Sequence, residues 1–419
     1  MKWTHYVTLF LGLWLIAAPL SFGYSSDTHL ASNDIICGIL IIAFGIYSLT
    51  RLKVWAAWML CLIGIWLQFA PLFFFAKEPA VYLNDTLIGS LLIGFAILIP
   101  RLPHEAEDKA SDVPLGWSYN PSSWTQRLPV IGLACICWFL ARYLAGFELG
   151  YYATVWDPFF HNGTKEVLTS KVSQSFPLPD AGLGAMAYTM EALLGCKGSE
   201  KRWRTMPWIV LSFGLLVIPV GIVSIILVML QPIVVGAWCS ICLLTALLMV
   251  VMVILTLDEV VASIQFLHFS VKKGHPFWHT FWKGGSVPNG PVCKQTLQED
   301  CGFLGVSFVP SLFCAALVGI TLICLPSYFA LPEKTANIVH IIGALSTVIA
   351  LIAQTEVARL GRYANMFLGA LLILSLFFCE PVATRVEWTL VIAGIALILL
   401  SYKRGKIEEK YGSYQKYIA

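Results

Sequence analysis

Two cysteines three positions apart, Cys239 and Cys242, stand at the predicted start of a hydrophobic helix in the sequence Trp-Cys-Ser-Ile-Cys. Such a pair can close a reducible disulfide, and the positive end of a helix favours the thiolate of the first cysteine. The same spacing also occurs in zinc half-sites and among small core residues. The spacing alone therefore leaves three alternatives open, and the surrounding chain has to decide between them.

A second predicted helix carries an unusual polar face. Asp180, Gly184, Tyr188 and Glu191 follow the spacing i, i+4, i+8, i+11, which places them on one side of that helix. Polar side chains inside a membrane are costly and usually face a partner or a cavity. Structural roles remain the alternative, because Asp180 stands where a helix N-cap is expected and Tyr188 can anchor a packed interior.

The helices that hold these residues are predicted to cross a membrane. Hydrophobic residues make up 58% of the 419 residues and charged residues only 12%, which is typical of an all-α polytopic membrane protein. The net charge of +3 comes from loops and gives no indication of nucleic-acid binding. Long apolar runs predict about twelve transmembrane helices, at about 4–24, 34–50, 54–76, 84–100, 128–150, 181–197, 206–231, 234–257, 303–328, 336–354, 364–380 and 387–402.

The loops between these spans predict the orientation. With both termini in the cytoplasm, 21 of the 27 Lys and Arg residues fall on the cytoplasmic side. Cytoplasmic loops collect Lys and Arg, so we expect a multi-pass protein of the cell inner (cytoplasmic) membrane with both termini cytoplasmic. This orientation puts Cys239 on the outer, oxidising side.

The N-terminal part of the chain contains an internal repeat. The segment Gly12–Pro19 returns as Gly64–Pro71, and Asn33–Gly38 returns as Asn84–Gly89, at offsets of 52 and 51 residues. This self-similarity predicts two copies of one helical hairpin. We expect a proline near the outer end of each first helix and an Asn-Asp pair that caps each second helix.

The repeats resemble the SPW-repeat family, although Ala-Pro-Leu replaces Ser-Pro-Trp in both copies. A weaker echo, beginning near Gly319 and again near Gly369, marks the C-terminal region as a degenerate copy. Two polar stretches separate these regions from a central four-helix unit. The predicted organisation is an SPW-like region of two hairpins at 1–100, a cytoplasmic linker at 101–126, the central bundle at 127–257, a second cytoplasmic linker at 258–302, the degenerate region at 303–402 and a cytoplasmic tail at 403–419.

The central unit resembles the vitamin K epoxide reductase family. The resemblance rests on a Pro-x-x-x-x-Gly-x-x-x-Tyr run from Pro179 to Tyr188 and on Trp-Cys-x-x-Cys-Leu at the outer start of a later helix. It implies a four-helix bundle around a quinone of the ubiquinone or menaquinone type. Cys242 would meet the quinone ring, and Cys239 would exchange disulfides with thiols outside the membrane.

The same resemblance implies that Asp180, Gly184 and Tyr188 bind the quinone. Asp180 stands where the family commonly has an Asn that hydrogen-bonds a quinone oxygen, and a protonated Asp can donate the same bond. The chain departs from the family in two places, because residues 150–180 contain no cysteine and Ala246 replaces an aromatic residue. Without loop cysteines, we expect an extracytoplasmic thioredoxin-like dithiol protein to reduce Cys239 directly.

The outer loop before Asp180 suggests a cover for the site. Its aromatic residues, Tyr151, Tyr152, Trp156, Phe159 and Phe160, are predicted to form either a lid or a simple interfacial anchor. Residues 167–173 are expected to form a short amphipathic helix, with Ser173 or Ser175 polarising the sulfur of Cys239.

These features predict an enzyme, a quinone-linked membrane thiol–disulfide oxidoreductase whose partners are the membrane lipid, the quinone and the dithiol protein. The alternative is a non-catalytic structural or assembly protein that retains a remnant redox bundle. A transporter has only the number of spans in its favour. A zinc set made of His275, His279, Cys293 and Cys301 is conceivable, but its spacing matches no tight motif, and we predict no metal site.

Overall fold

The computed structural model describes residues 2–51, 54–98, 113–285, 304–329, 331–378 and 380–418. Helices dominate these ranges, which contain no β-strand and only two isolated β-bridges, Trp117–Tyr411 and Val306–Thr355. The chain divides into two compact units, formed by residues 1–105 with 134–197 and by residues 106–133 with 198–419. The predicted all-α class is confirmed.

The first unit begins with two helical hairpins and ends with two further helices of the central region. The helices are α1 (Lys2–Ser21), α2 (Thr28–Arg51), α3 (Val54–Phe73), α4 (Pro79–Leu98), the larger part of α5 (Trp124–Glu148), the short α6 (Gly163–Leu168), a 3-10 turn at Ser173–Ser175, and α7 (Asp180–Cys196).

The second unit contains the remaining helices and a π-helical turn. They are α8 (Arg202–Thr205), α9 (Pro207–Leu230), the π-turn Gln231–Val235, α10 (Ser240–Lys272), α11 (Phe277–Lys283), α12 (Pro310–Tyr328), α13 (Glu333–Ile352), a 3-10 segment at Glu356–Gly361, α14 (Arg362–Ser375), α15 (Thr384–Tyr402), a 3-10 turn at Gly412–Tyr414, and α16 (Gln415–Ile418).

Eleven helices in the described ranges are long and apolar enough to cross a membrane, so the protein is a multi-pass membrane protein. The twelfth predicted span, at 181–197, corresponds to α7, which has 17 residues and is shorter than each of the eleven membrane spans, the shortest of which has 18. Residues 258–272, which were assigned to a linker, are instead the last turns of α10. This helix continues because its final turns bury side chains such as Glu259 and Phe266.

Glycines let the helices of each N-terminal hairpin approach closely. A methyl group added at Gly38 would lie 2.7 Å from the carbonyl oxygen of Gly12, and one added at Gly89 would lie 2.6 Å from that of Gly64. Small residues at a helix crossing permit such backbone contact in membranes. The repeated glycines therefore serve packing.

The predicted Asn-Asp caps are wrong. Asn33 lies five residues inside α2, which begins at Thr28, and Asn84 lies five residues inside α4, which begins at Pro79. Their side chains accept hydrogen bonds from tryptophans of the other hairpin instead. Trp66 Nε1 donates to Asn33 Oδ1 at 2.7 Å, and Trp14 Nε1 donates to Asn84 Oδ1 at 2.8 Å. Each repeat thus supplies a donor to an asparagine of the other copy.

The C-terminal hairpins repeat the glycine contact of the N-terminal ones. A methyl group at Gly343 of α13 would lie 2.8 Å from the carbonyl oxygen of Gly319 on α12, and one at Gly394 of α15 would lie 2.8 Å from that of Gly369 on α14. The weak sequence echo at Gly319 and Gly369 therefore coincides with the same kind of helix crossing.

Candidate redox site

The segment between α9 and α10 positions the two cysteines. After the π-turn, Gly236 takes a left-handed backbone conformation with φ of 74°, which reverses the chain without a Cβ clash. Cys239 is then the N-cap of α10, and its Sγ accepts the backbone N–H of Cys242 at 3.1 Å. The two cysteines form a disulfide with their Cα atoms 5.3 Å apart. A redox-active pair at a helix N-terminus, as predicted, is therefore present.

A buried glutamine supports this pair. Gln231, the first residue of the π-turn, is 3% exposed, and its Oε1 accepts the backbone N–H of Cys239 at 2.9 Å. Cys239 itself is fully buried at 0% exposure, whereas Cys242 is half-buried. Attack by an outside thiol on Cys239 therefore requires the segment around it to open.

Asp180 does not cap α7 as a classical N-cap residue would. The helix begins at Asp180 itself, and Oδ1 of Asp180 accepts the N–H of the next residue, Ala181, at 2.9 Å. The same oxygen lies 3.1 Å from Ser173 Oγ, which can donate to it. The capping alternative therefore fails, because Asp180 is itself the first residue of the helix and the N-cap position, Pro179, makes no side-chain cap hydrogen bond.

Glu148, at the end of α5, shares these partners and was missed from the sequence. Its Oε1 lies 3.1 Å from Ser173 Oγ, and its Oε2 accepts the N–H of Ala181 at 3.2 Å. The carboxyl groups of Glu148 and Asp180 are within hydrogen-bonding reach of each other. Two carboxylates gathered on the same hydroxyl and N–H repel each other unless one of them carries a proton, so the pair can hold a proton beside the start of α7.

Gly184 and Tyr188 continue the same face of α7. A methyl group at Gly184 would lie 3.8 Å from the Tyr188 ring and 3.9 Å from Ala141 Cβ, which are ordinary contacts. Helix packing therefore does not require glycine there, and space is left beside it. Tyr188 is buried, as is Glu191, whose two carboxyl oxygens lack hydrogen-bond partners in the described part of the chain.

The predicted site residues fall into two groups. Cys239 and Cys242 belong to the second compact unit, and Asp180, Gly184 and Tyr188 belong to the first. Within the first unit, α7 aligns its three residues along one face, and Glu148 and Ser173 join Asp180. Two residues of the site were missed although the sequence contained a signal for each. Glu148 is a carboxylate at the end of an apolar span, and Gln231 is a lone amide before Pro232 in an apolar run.

The outer loop is organised by a single carboxylate. Asp157 Oδ1 accepts the N–H groups of Phe159 and Phe160 at 3.1 and 2.9 Å, and Oδ2 accepts the N–H and hydroxyl of Thr164. The Trp156 and Phe159 side chains are exposed. Tyr151 donates its hydroxyl to the carbonyl of Ala76 at 2.6 Å, and burial raises the pKa of this phenol, which keeps it a donor.

The helix predicted at 167–173 is not formed as one segment. α6 ends at Leu168, and the next helical turn is the 3-10 turn that starts at Ser173. The hydrogen-bond partners of the two serines also differ from the predicted one, the sulfur of Cys239. Ser173 Oγ donates to the carboxyl groups of Glu148 and Asp180, and Ser175 Oγ donates to the carbonyl of Val172. The short loop favours these local bonds over a continued helix.

The described residues contain no cluster of three or more side chains able to hold a metal. Cys293 and Cys301, which belonged to the conceivable zinc set, lie outside the described residues. The remaining cysteines of the described spans differ in burial, since Cys37 and Cys137 are buried while Cys135, Cys314 and Cys324 are exposed on helix surfaces.

Comparison with protein families supports both sequence resemblances. Residues 128–257 match the vitamin K epoxide reductase family, and residues 2–99 match the SPW repeat domain. No curated protein and no solved structure gave a significant match. The first match confirms the predicted redox region and indicates, together with the eleven apolar helices, a membrane protein with thiol–disulfide oxidoreductase activity.

Proposed function

We propose that this protein is a quinone-linked thiol–disulfide oxidoreductase of the cell inner membrane, with both termini cytoplasmic. It takes electrons from an extracytoplasmic thioredoxin-like dithiol protein through Cys239 and Cys242. The observation that carries the proposal is the Cys239–Cys242 disulfide at the N-terminus of α10, inside the region that matches the vitamin K epoxide reductase family. A closed redox pair in that setting favours the enzyme over a non-catalytic scaffold.

The proposed reaction begins with thiol–disulfide exchange at Cys239. A thiolate of the partner attacks Cys239 Sγ, the bond between the two sulfurs breaks, and Cys242 leaves as a thiolate. The second partner thiolate then attacks the mixed disulfide and releases Cys239, so the partner is oxidised and the pair is reduced by two electrons. The buried N-cap position stabilises the Cys239 thiolate because its Sγ accepts the N–H of Cys242.

A bound quinone would accept two electrons and two protons. The residues that we assign to it are Asp180, Gly184, Tyr188 and Cys242. The donor set fits such a group, because Asp180 belongs to a carboxyl pair that can hold a proton and Gly184 presents no side chain on the same helix face. Ser173 keeps the two carboxyl groups together and thereby holds the proton near α7.

We assign the redox chemistry to residues 127–257 and a scaffold role in the membrane to residues 1–100. The cytoplasmic linkers and tail connect these regions. The reciprocal Trp–Asn bonds of the two N-terminal hairpins support a scaffold role there, because they tie each hairpin to the other.

The direct test is a turnover assay with the purified full chain in lipid. Dithiothreitol serves as the dithiol probe and a short-chain ubiquinone or menaquinone as the acceptor, and the loss of quinone absorbance is recorded. We expect steady quinone reduction that disappears in Cys239→Ala and in Cys242→Ala and persists in Cys135→Ala, whose thiol lies on an exposed helix surface. Equal rates in the wild type and both redox-pair variants would contradict the proposal.

A further inference from the structure

The tryptophan next to the redox pair contacts a helix from outside the matched family region. The ring of Trp238 meets the ring of His340 edge to face, with centroids 6.1 Å apart and planes at 68°. His340 lies on α13, which also packs against α9, α10 and the π-turn. The family match ends at residue 257, so this contact brings the C-terminal region to the cysteine-bearing segment.

His340 is an unusual residue for its position. Its side chain is only 7% exposed, and its Nδ1 has no hydrogen-bond partner in the described part of the chain. A buried polar atom without a partner is destabilising, so an apolar residue would suit simple helix packing better. The flat ring of histidine does, however, suit an edge-to-face contact with an indole.

Two side chains therefore hold the segment that carries Cys239. Gln231 accepts the backbone N–H of Cys239, and His340 contacts the ring of the residue before it. Both side chains are buried, and Cys239 is buried with them. An outside thiol can reach Cys239 only when this segment moves.

We propose that His340 is a positioning residue of the redox pair, acting through Trp238 to hold Cys239 in its buried, disulfide-ready conformation. The inference rests on the proposed function and deepens it, since it makes the C-terminal membrane region a working part of the redox centre. The ring of His340 supports this segment through Trp238, and Gln231 supports it through the backbone N–H of Cys239. Removal of the ring frees the segment and exposes the disulfide to small thiols.

The test measures the rate at which a small dithiol reduces the disulfide in the full-length protein, without any quinone. Dithiothreitol is the probe, and the reduced cysteines are counted after quenching by alkylation and mass spectrometry. We expect His340→Ala to accelerate reduction by between about threefold and tenfold, the range set by the strength of an aromatic pair. His340→Phe keeps a flat ring and is expected to restore the wild-type rate.

A matched control separates positioning from general loosening of α13. Ile342 lies two residues along the same helix, is buried in the C-terminal hydrophobic core, and loses a comparable volume in Ile342→Ala. This variant is expected to keep the wild-type reduction rate. If His340→Ala does not accumulate in membranes, His340→Leu replaces it, because leucine fills the space without a flat ring and carries the same expected acceleration.

Three results would overturn the inference. They are an unchanged rate in the variants that lack the ring, an equal acceleration in Ile342→Ala, and a failure of His340→Phe to restore the rate. Because the assay contains no quinone, these results are independent of the proposed electron acceptor. If the wild-type protein does not reduce quinone but His340→Ala still accelerates reduction of the disulfide, the result contradicts the proposed function alone.

Discussion

The N-terminal repeats and the segment around the cysteines are held by different kinds of contact. In the repeats, the tryptophans of each hairpin donate to an asparagine of the other, at 2.8 and 2.7 Å. Around the cysteines, Gln231 accepts one backbone N–H, and His340 contacts the ring of Trp238. Reciprocal hydrogen bonds between two hairpins stabilise a fixed structure, whereas one hydrogen bond and one ring contact leave a short segment able to move.

The repeats themselves show where symmetry has been lost. Asp34 accepts a hydrogen bond from the hydroxyl of Tyr24, while Asp85, its counterpart, keeps one oxygen without a partner in the described chain. The position equivalent to Tyr24 in the second copy is Ala76. Burial and the bond to Asp34 raise the pKa of Tyr24, so this phenol remains a donor over the whole physiological range.

The largest expected effect concerns a buried ion pair between α8 and α10. Arg202 and Glu259 form a bidentate buried ion pair, and Ser122 also donates to Glu259. Glu259→Gln leaves the guanidinium without its charge partner, and we expect a loss of about 3–5 kcal/mol in the free energy of unfolding. The measurement is thermal unfolding of the purified protein.

This substitution sharpens the comparison because Glu259 lies roughly 25 Å along α10 from Cys242. The folded fraction of Glu259→Gln should reduce quinone at the wild-type rate. A variant that keeps its stability but loses turnover would show that this end of α10 takes part in the reaction. It would contradict the assignment of the redox chemistry to residues 127–257.

The next effect is on turnover and concerns Asp180. Asp180→Ala removes one half of the carboxyl pair, and we expect quinone reduction to fall by about 100-fold, the lower end of the usual contribution of one acid–base group. Asp180→Asn should retain more activity, since an amide still donates to a quinone oxygen. The assay is steady-state quinone reduction at saturating dithiol, with thermal stability measured in parallel.

Glu148→Gln is the control for this prediction. It leaves Asp180 in place but removes the second carboxyl group, so the pair no longer shares a proton, and the pH dependence of turnover should change. If Asp180→Ala and Glu148→Gln both reduce quinone at the wild-type rate over the whole pH range, the carboxyl pair has no role in turnover.

A smaller effect is expected in the repeats. Asn84→Ala leaves the indole N–H of Trp14 without its acceptor, at a cost of about 1–2 kcal/mol in the free energy of unfolding. Trp14→Phe should cost less in the background of Asn84→Ala than in the wild type, which a double-mutant cycle measures. Additive effects of the two substitutions would show that this hydrogen bond does not stabilise the hairpins.

The smallest stability effect is expected at Gly184. A methyl group there meets only contacts of 3.8 Å or more, so Gly184→Ala should change the free energy of unfolding by less than about 0.5 kcal/mol. Gly182→Ala is the matched control, because its methyl group would lie 2.4 Å from the buried Leu72 side chain and should destabilise by about 1–3 kcal/mol. Reduced quinone reduction in Gly184→Ala alone would place the quinone beside this face.

The sequence predicts those features that depend on neighbouring residues or on a family pattern. The disulfide at the start of α10 is one of the alternatives that the spacing of Cys239 and Cys242 offers, and the neighbouring motifs that resemble a redox family select it. The glycine crossings follow from the repeat. These features are local or recur at a fixed offset, so periodicity and spacing reveal them.

The errors and omissions arise where partners are distant along the chain. Asn33 and Asn84 look like caps because their local sequence fits, but their tryptophan donors lie in the other repeat copy, and the helices begin a full turn earlier. Glu148 meets Asp180 only after the outer loop has returned to α7. His340 reaches Trp238 from a region that no motif connects with the cysteines.

The central claim is most directly tested by trapping the thiol state of Cys239 and Cys242 in membranes. Membranes depleted of quinone and the same membranes resupplied with it are quenched with acid, alkylated, and analysed by mass spectrometry. The account predicts a reduced pair without quinone and the Cys239–Cys242 disulfide after quinone is added. A pair that stays reduced in both samples would contradict it.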